Sequence, residues 1–249
     1  MMVEIKLDNA NVEFSIYNAR SRSLKSNLMK RVGGHIGQSA KDDRVVIHAL
    51  RDINLHLKTG TRLALVGHNG AGKSTMLHLL GGVYEPSSGS AIIKGRVSSL
   101  LDLSMGMDPE QTGRENIILR AVFLGMSIAQ AKALVPEIAE FSELGPYLDL
   151  PMRTYSSGMA MRLGFGVSTA IQPDIILMDE MIAVGDVRFA EKARARLHKI
   201  MDNAGILVIA SHSSETLRQY CDRAIWLKEG QVLADGPLED ILKEAHGPD

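Results

Sequence analysis

The chain has 249 residues, enough for one large domain or a domain with a subdomain and for a sizeable core. Hydrophobic residues at 45% and charged residues at 23% place it among globular proteins, and 28 Lys and Arg against 29 Asp and Glu exclude a general polyanion-binding surface. Aromatic residues are 4% of the chain, too few for base-stacking platforms, so nucleic acid is not an expected partner. No apolar run approaches the ~18 residues that cross a bilayer, and the N-terminus carries no apolar signal core, so a cytoplasmic location is expected. A single cysteine, Cys221, reads as core or surface filler.

In chain order, the first distinctive stretch is a basic insertion over 18–46. From 18 to 41 it holds six Lys and Arg and no Asp or Glu. Leu24, Leu28 and Val32 fall four apart, so a short helix ended by Gly33-Gly34 would carry an apolar stripe on a basic body, suited to anionic lipid or a partner. A solvated insertion with loose structure is the alternative. Ile53, Leu55 and Leu57 then alternate with polar residues, as in a strand with one wet face. After a turn at Lys58-Thr59-Gly60, residues 63–66 are apolar throughout, which fits a strand covered on both sides in a parallel sheet. Similar runs recur at 175–178 and 206–210, each followed by polar residues and a helical pattern.

Between these core strands, residues 108–170 read as an inserted helical subdomain. Ser127 is placed to cap a helix through Phe141, with Pro136 expected to kink or divide it. Past 206–210 come a helix, a strand, a Glu229-Gly230 turn, a strand and a helix over 238–245. The expected fold is a single α/β domain with a mainly parallel core sheet, an antiparallel β edge and the helical insertion.

Gly67-His-Asn-Gly-Ala-Gly72-Lys73-Ser74-Thr75 fits the phosphate-loop pattern G-x-x-x-x-G-K-[ST], set between a buried strand and a helix as the pattern requires. Its glycines let the backbone curl, so that the amides of Gly67, Asn69, Gly70, Ala71, Gly72 and the residues through Thr75 can aim at phosphate oxygens. Lys73 supplies a point charge to the β- and γ-phosphates, and Ser74 offers its hydroxyl to Mg²⁺. The apolar run 175–178 delivers Asp179 and Glu180 to a strand end, where open α/β sheets bind ligands. Asp179 is the candidate Mg²⁺ ligand, and Glu180 the candidate to polarise a water for attack on the γ-phosphate.

With Tyr155-Ser156-Ser157-Gly158-Met159, which is similar to a Leu-Ser-Gly-Gly-Gln signature, 21 residues before Asp179 counted from Gly158, the chain resembles the ATP-binding cassette ATPases. The resemblance implies that Ser156, Ser157 and Gly158 contact ATP held by a partner subunit, so that the working unit is a homodimer. It also implies that His212 is a switch residue at the γ-phosphate, and that Asp186 lies in a loop crossing between subunits; Asp186 equally suits a cap for a helix over 187–201. The family's usual glutamine is missing where the chain reads Leu100-Leu-Asp102-Leu103-Ser-Met-Gly106, which makes Asp102 the candidate for contact with Mg²⁺ or water, ahead of Gln111. Tyr17 is the candidate to stack on adenine, with Phe14 and His48 as alternatives.

Thr112-Gly-Arg-Glu-Asn-Ile117, the signature variant, Asp179-Glu-Met-Ile-Ala-Val-Gly-Asp186 and Cys221-Asp-Arg-Ala-Ile-Trp226 are similar to segments of bacterial polysaccharide-exporter ATPases. That resemblance implies ATP and Mg²⁺ as cofactors and two transmembrane permease subunits as partners. It implies a lipid-linked glycan as cargo, O-antigen first and capsule or teichoic acid as alternatives, and a peripheral site on the cytoplasmic face of the inner membrane. No C-terminal carbohydrate-binding domain is expected. A cytosolic cassette ATPase or a regulatory nucleotide switch is the rival reading.

Overall fold

The computed structural model describes residues 3–16, 35–38, 45–100, 103–179 and 187–246. Tyr17, Asp102, Glu180, Asp186 and the basic helix expected within 18–34 lie outside them. The chain divides into two compact units, one of Met1–Val97, Leu177–Met181 and Gly205–Asp249, the other of Ser98–Ile176 and Ile182–Ala204.

In the first unit, two long strands, β1 (Glu4–Ile16) and β3 (Val45–Lys58), pair antiparallel, with β2 (His35–Gln38) and β5 (Ser88–Lys94) outside them in the order β2-β3-β1-β5. The alternating pattern of 53–57 is the inner half of β3: Ile53, Leu55 and Leu57 are buried and the residues between them exposed. The strand starts earlier than the alternation, because Val45 to His48 pair with both β1 and β2. Within the basic insertion, His35 to Gln38 pair with β3 as an edge strand, which neither the helix nor the loose-insertion expectation included. Register slips at Ala10 and Val12 are absorbed by side chains, since Asn54 Oδ1 accepts from the Asn9 amide at 2.9 Å and Asn11 Oδ1 from the Asp52 amide at 2.9 Å. Asn9 and Asp52 both sit at positive φ, which asparagine and aspartate tolerate in bulges.

The second sheet follows the order β10-β9-β4-β8-β7-β6, from β4 (Arg62–Val66), β6 (Val97–Ser99), β7 (Ile175–Asp179), β8 (Ile206–Ala210), β9 (Arg223–Lys228) and β10 (Gln231–Pro237). β4 runs parallel to β8 and β9, and β10 turns back antiparallel. The continuous apolar runs are what such central strands need: every residue of β8 is buried, as are Leu63 to Val66. Helix α1 (Lys73–Leu80) buries Met76, Leu77, Leu79 and Leu80. Cys221 closes the C-terminal end of α6 (Ser214–Tyr220), where burial pushes its thiol up to about 12.

The other unit is helical. Helices α2 (Gly113–Phe123), α3 (Ile128–Ser142) and α4 (Ser157–Ala170) enclose Ile117, Ala121, Ala131, Ile138, Leu144, Leu148, Leu163 and Val167. Reciprocal capping boxes, Thr112 with Glu115 and Ser127 with Gln130, fix the starts of α2 and α3. Pro136 does not divide α3. It removes one rung of the ladder, at the Lys132 carbonyl, but Ala131 on one side and Ile138 and Phe141 on the other are buried and hold the helix in one piece. Helix α5 (Val187–Asp202) is tied to the end of α3 by Lys192, which donates to the Phe141 carbonyl at 3.1 Å and pairs with Glu143 at 2.9 Å. Among the described residues no helix is long and apolar enough to cross a membrane.

On the antiparallel sheet, Glu4 bridges His56 at 2.8 Å and Lys94 at 2.7 Å. Their hydrogen bonds lower its carboxyl to about 2. Because the folded-state value is depressed, the stabilisation is present above the ordinary glutamate range and is lost as pH falls towards 2. Glu4→Gln should therefore melt below the wild type at pH 7, and calorimetry should show the gap holding down to about pH 5 and narrowing only below it.

Candidate functional site

The site begins where β4 runs out of apolar residues. Gly67 has φ +154, and a Cβ there would lie 2.4 Å from the Leu227 carbonyl oxygen of β9, so only glycine lets the loop leave the sheet along this path. The loop then curls through Gly70 at φ +79 and Gly72 at φ +107, the residue that starts α1. Its outer side is fastened to the β9–β10 turn: the Gly230 amide donates to the Ala71 carbonyl at 3.0 Å, and the Arg51 amide to the Gly230 carbonyl at 2.8 Å. Gly230, at φ +77, approaches Ala49 so closely that a Cβ would meet its carbonyl oxygen at 2.5 Å. The sequence marked Glu229-Gly230 as a turn and gave no sign that the turn braces the loop.

Lys73 reaches back over this curl and donates from Nζ to the carbonyls of Gly67 at 2.6 Å and His68 at 3.2 Å. Ser74, one position on, donates from Oγ to Asp179 Oδ2 at 2.7 Å. Two residues 105 apart in sequence are thus brought together at the mouth of the sheet, where buried Ile175 to Met178 deliver the carboxylate. A hydroxyl and a carboxylate are hard oxygen donors, and the pair fits a Mg²⁺ ion that takes its remaining ligands from phosphate and water.

His212 follows β8 on an exposed turn in which the Ser213 amide donates to Ser211 Oγ at 3.1 Å and Ser213 caps α6 by accepting from the Thr216 amide. It lines a cleft of about 320 Å³ together with Gly67, His68, Ser211, Trp226 and Lys228, so the predicted switch residue and the start of the loop share one space. Trp226 and Lys228 were not among the candidates. They arrive because β9 lies beside β4 in the sheet, a neighbour relation that local sequence does not carry.

Of the adenine-stacking alternatives, Phe14 packs edge-on against Tyr84 at 5.4 Å, and Tyr84 in turn stacks on His78 at 5.0 Å. His48 pairs with Glu13 at 2.9 Å.

In the helical unit, Ser156 caps α4 by accepting from the Met159 amide at 3.2 Å, so Ser157 and Gly158 are the first two helical residues, with helix N–H groups behind them. A Cβ on Gly158 would meet nothing closer than Ser156 Oγ at 3.9 Å, so its backbone is open to an approaching group. Tyr155 anchors the preceding turn by donating to the Tyr147 carbonyl at 2.7 Å, and burial, with the Asp149 charge, raises its hydroxyl above the usual tyrosine range. Gly113 makes room for that hydroxyl, which lies 2.1 Å from where a Cβ would stand. Gln111 belongs to the same unit, its carbonyl accepting from Met152 and Asn116.

The sequence profile of the ABC transporter family matches residues 50–183. The O-antigen export system ATP-binding protein RfbE of Yersinia enterocolitica is 44% identical, over 97% of this chain and 100% of its own length. The teichoic acids export ATP-binding protein TagH of Lactococcus lactis is 36% identical over 97% of this chain, which spans 50% of that protein. Among solved structures, the dimeric ATP-binding cassette MJ0796 in a post-hydrolysis state with ADP and Pi superposes with a TM-score of 0.65 at 22% identity, covering 94% of this chain and 98% of that one. A likeness at that identity carries the fold, an α/β cassette.

Gly67→Ala tests the brace on the loop. Forcing a Cβ against the Leu227 carbonyl costs about 1–3 kcal/mol of strain, and at about 2–4 °C per kcal/mol in a chain of this size that should lower Tm by ~2–12 °C. Calorimetry of the folded variant reads this directly.

Proposed function

Because the chain belongs to the ABC transporter family, we propose that it is the ATP-hydrolysing subunit of a bacterial exporter that moves a lipid-linked polysaccharide, lipopolysaccharide O-antigen, across the cytoplasmic membrane. The observation that carries the nucleotide chemistry is the contact of Ser74 with Asp179 beside the curled loop. The cargo rests on full-length likeness to the Yersinia O-antigen protein, against a lower identity and half-length coverage for the teichoic acid protein, which leaves capsule or teichoic acid as the second reading.

In this reading, the amides from Gly67 to Thr75, with Asn69, Gly70, Ala71 and Gly72 between them, bind the phosphates of ATP, and Lys73 exchanges its loop carbonyls for β- and γ-phosphate oxygens. The exchange is short, since those carbonyls already hold the ammonium over the curl. Ser74 and Asp179 would hold Mg²⁺, with Asp102 as a further ligand. When bound, the ion offsets charge on the β- and γ-phosphates. Glu180 accepts a proton from the attacking water, and His212, in the cleft beside Gly67, orients the γ-phosphate and that water. Tyr17 stacks on adenine.

The second copy of the chain completes each site in this proposal. Ser156, Ser157 and Gly158 present the start of α4 to the γ-phosphate held by the partner's loop, and Asp186 crosses between the copies. The dimer works beneath two transmembrane permease subunits, peripheral to the cytoplasmic face of the inner membrane. ATP joins the two copies and hydrolysis parts them, a cycle that moves the permease.

Three measurements test this reading. Glu180→Gln should bind ATP, become dimeric with Mg-ATP on size-exclusion chromatography and hydrolyse about 10²–10⁴-fold more slowly; turnover at the wild-type rate would remove Glu180 from the chemistry. Ser74→Ala, with one oxygen donor gone, should need about tenfold more Mg²⁺ for half-maximal hydrolysis. In the bacterium, deletion of the chain should leave one glycan missing from the surface and accumulating inside, with Lys73→Ala unable to restore it. A surface profile unchanged on gels would refute export of a glycan.

A further inference from the structure

The helical unit buries a cation that the reading above does not use. Arg120 of α2 is 1% exposed. From Nε and Nη2 it donates to Ser168 Oγ of α4 at 3.0 and 2.7 Å, and from Nη1 to the Met105 carbonyl. Ser168 is 1% exposed and donates its own hydroxyl hydrogen bond to the Gly164 carbonyl at 2.7 Å. One guanidinium therefore holds two things together: helix α4, whose first turn carries the Ser156 cap, and the loop 103–108, which follows directly on Asp102.

The loop is gripped at two further points. A Cβ on Gly164 would lie 2.2 Å from the Leu103 carbonyl oxygen, so the loop backbone rests on the helix where glycine leaves room. Asn116, fully buried, accepts from the Asp108 amide at 2.7 Å and donates to the Asp108 carbonyl at 2.8 Å. Burying a guanidinium is costly, and apolar residues of similar volume usually fill such a space at no loss of stability. What a planar fork supplies, and an apolar side chain does not, is fixed geometry between its acceptors.

We propose that Arg120 is a positioning residue for ATP hydrolysis: by holding the Met105 carbonyl and Ser168 together it sets the loop that follows Asp102 against the signature helix, so that both reach their nucleotide contacts in register. The inference rests on the reading of Asp102 and the α4 start as nucleotide contacts. In this inference Arg120 acts through the loop. Lys cannot replace it, because a single ammonium does not span both acceptors in the same plane.

The test is steady-state ATP hydrolysis by the full chain carrying Arg120→Lys, Asp102→Asn, both, or Gly164→Ala. In Arg120→Lys, kcat should fall about tenfold while KM for ATP stays within about twofold, because the phosphate loop is untouched. Gly164→Ala, which lifts the loop and leaves Arg120 in place, should show the same kcat-selective loss and carries the test if Arg120→Lys does not fold. The double variant should be no more than about twofold slower than Asp102→Asn alone, since both changes disable one unit. Wild-type kcat in folded Arg120→Lys and Gly164→Ala, or losses that multiply with Asp102→Asn, would overturn the inference alone. Wild-type hydrolysis by Asp102→Asn would overturn the reading of Asp102 and the inference with it.

Discussion

The approach of Gly67 to the Leu227 carbonyl is the constraint on which the nucleotide end of the molecule depends. It sets the line along which the chain leaves β4, and every later contact inherits that line: the left-handed turns at Gly70 and Gly72, the start of α1, and the placement of Ser74 beside Asp179. Within the loop the Ala71 amide donates to the His68 carbonyl at 3.1 Å, and the curl is further supported from behind. Here the support is the β9–β10 turn, bonded to Ala71 on one side and Arg51 on the other. The loop is thus held by strands outside it, which leaves little backbone entropy to lose in any binding event there.

The two units express different physics. The first is built on backbone ladders and apolar burial, with glycine used wherever two backbones come too close for a side chain. The second is short on long ladders and relies on side chains that hold main-chain atoms: Asn116 on Asp108, Lys192 on Phe141, Arg120 on Met105. Such contacts are specific in direction, while the aliphatic core around Ile117 and Leu163 is not. Burial gives the helical unit its cohesion, and the polar grips give it one shape.

Legibility in the sequence followed the range of the interactions. The core strands at 63–66, 175–178 and 206–210 and the phosphate loop were readable because each is declared by local pattern, and the termini of α3, α5 and α7 (Leu238–His246) differ from expectation by no more than a residue. Of the two outcomes open at Pro136, kink or division, division does not occur, because propensity counts one lost rung and not the burial on either side of it. The edge strand at His35 to Gln38 was missed because its pattern is dominated by flanking basic residues and its partner, β3, is recognisable only after pairing. Trp226, Lys228 and the bracing turn could not be inferred from spacing, since they reach the loop through the parallel neighbourhood of β4 and β9.

Cys221 is the one sulfhydryl in the chain, and its place at the end of α6 gives the protein a chemical character as well as a packed corner. Burial that pushes the thiol up to about 12 disfavours the thiolate at neutral pH, and thiolate is the form that attacks peroxides and disulfides. Cys221 therefore serves as a packed, protonated corner at the end of α6 rather than as a nucleophile.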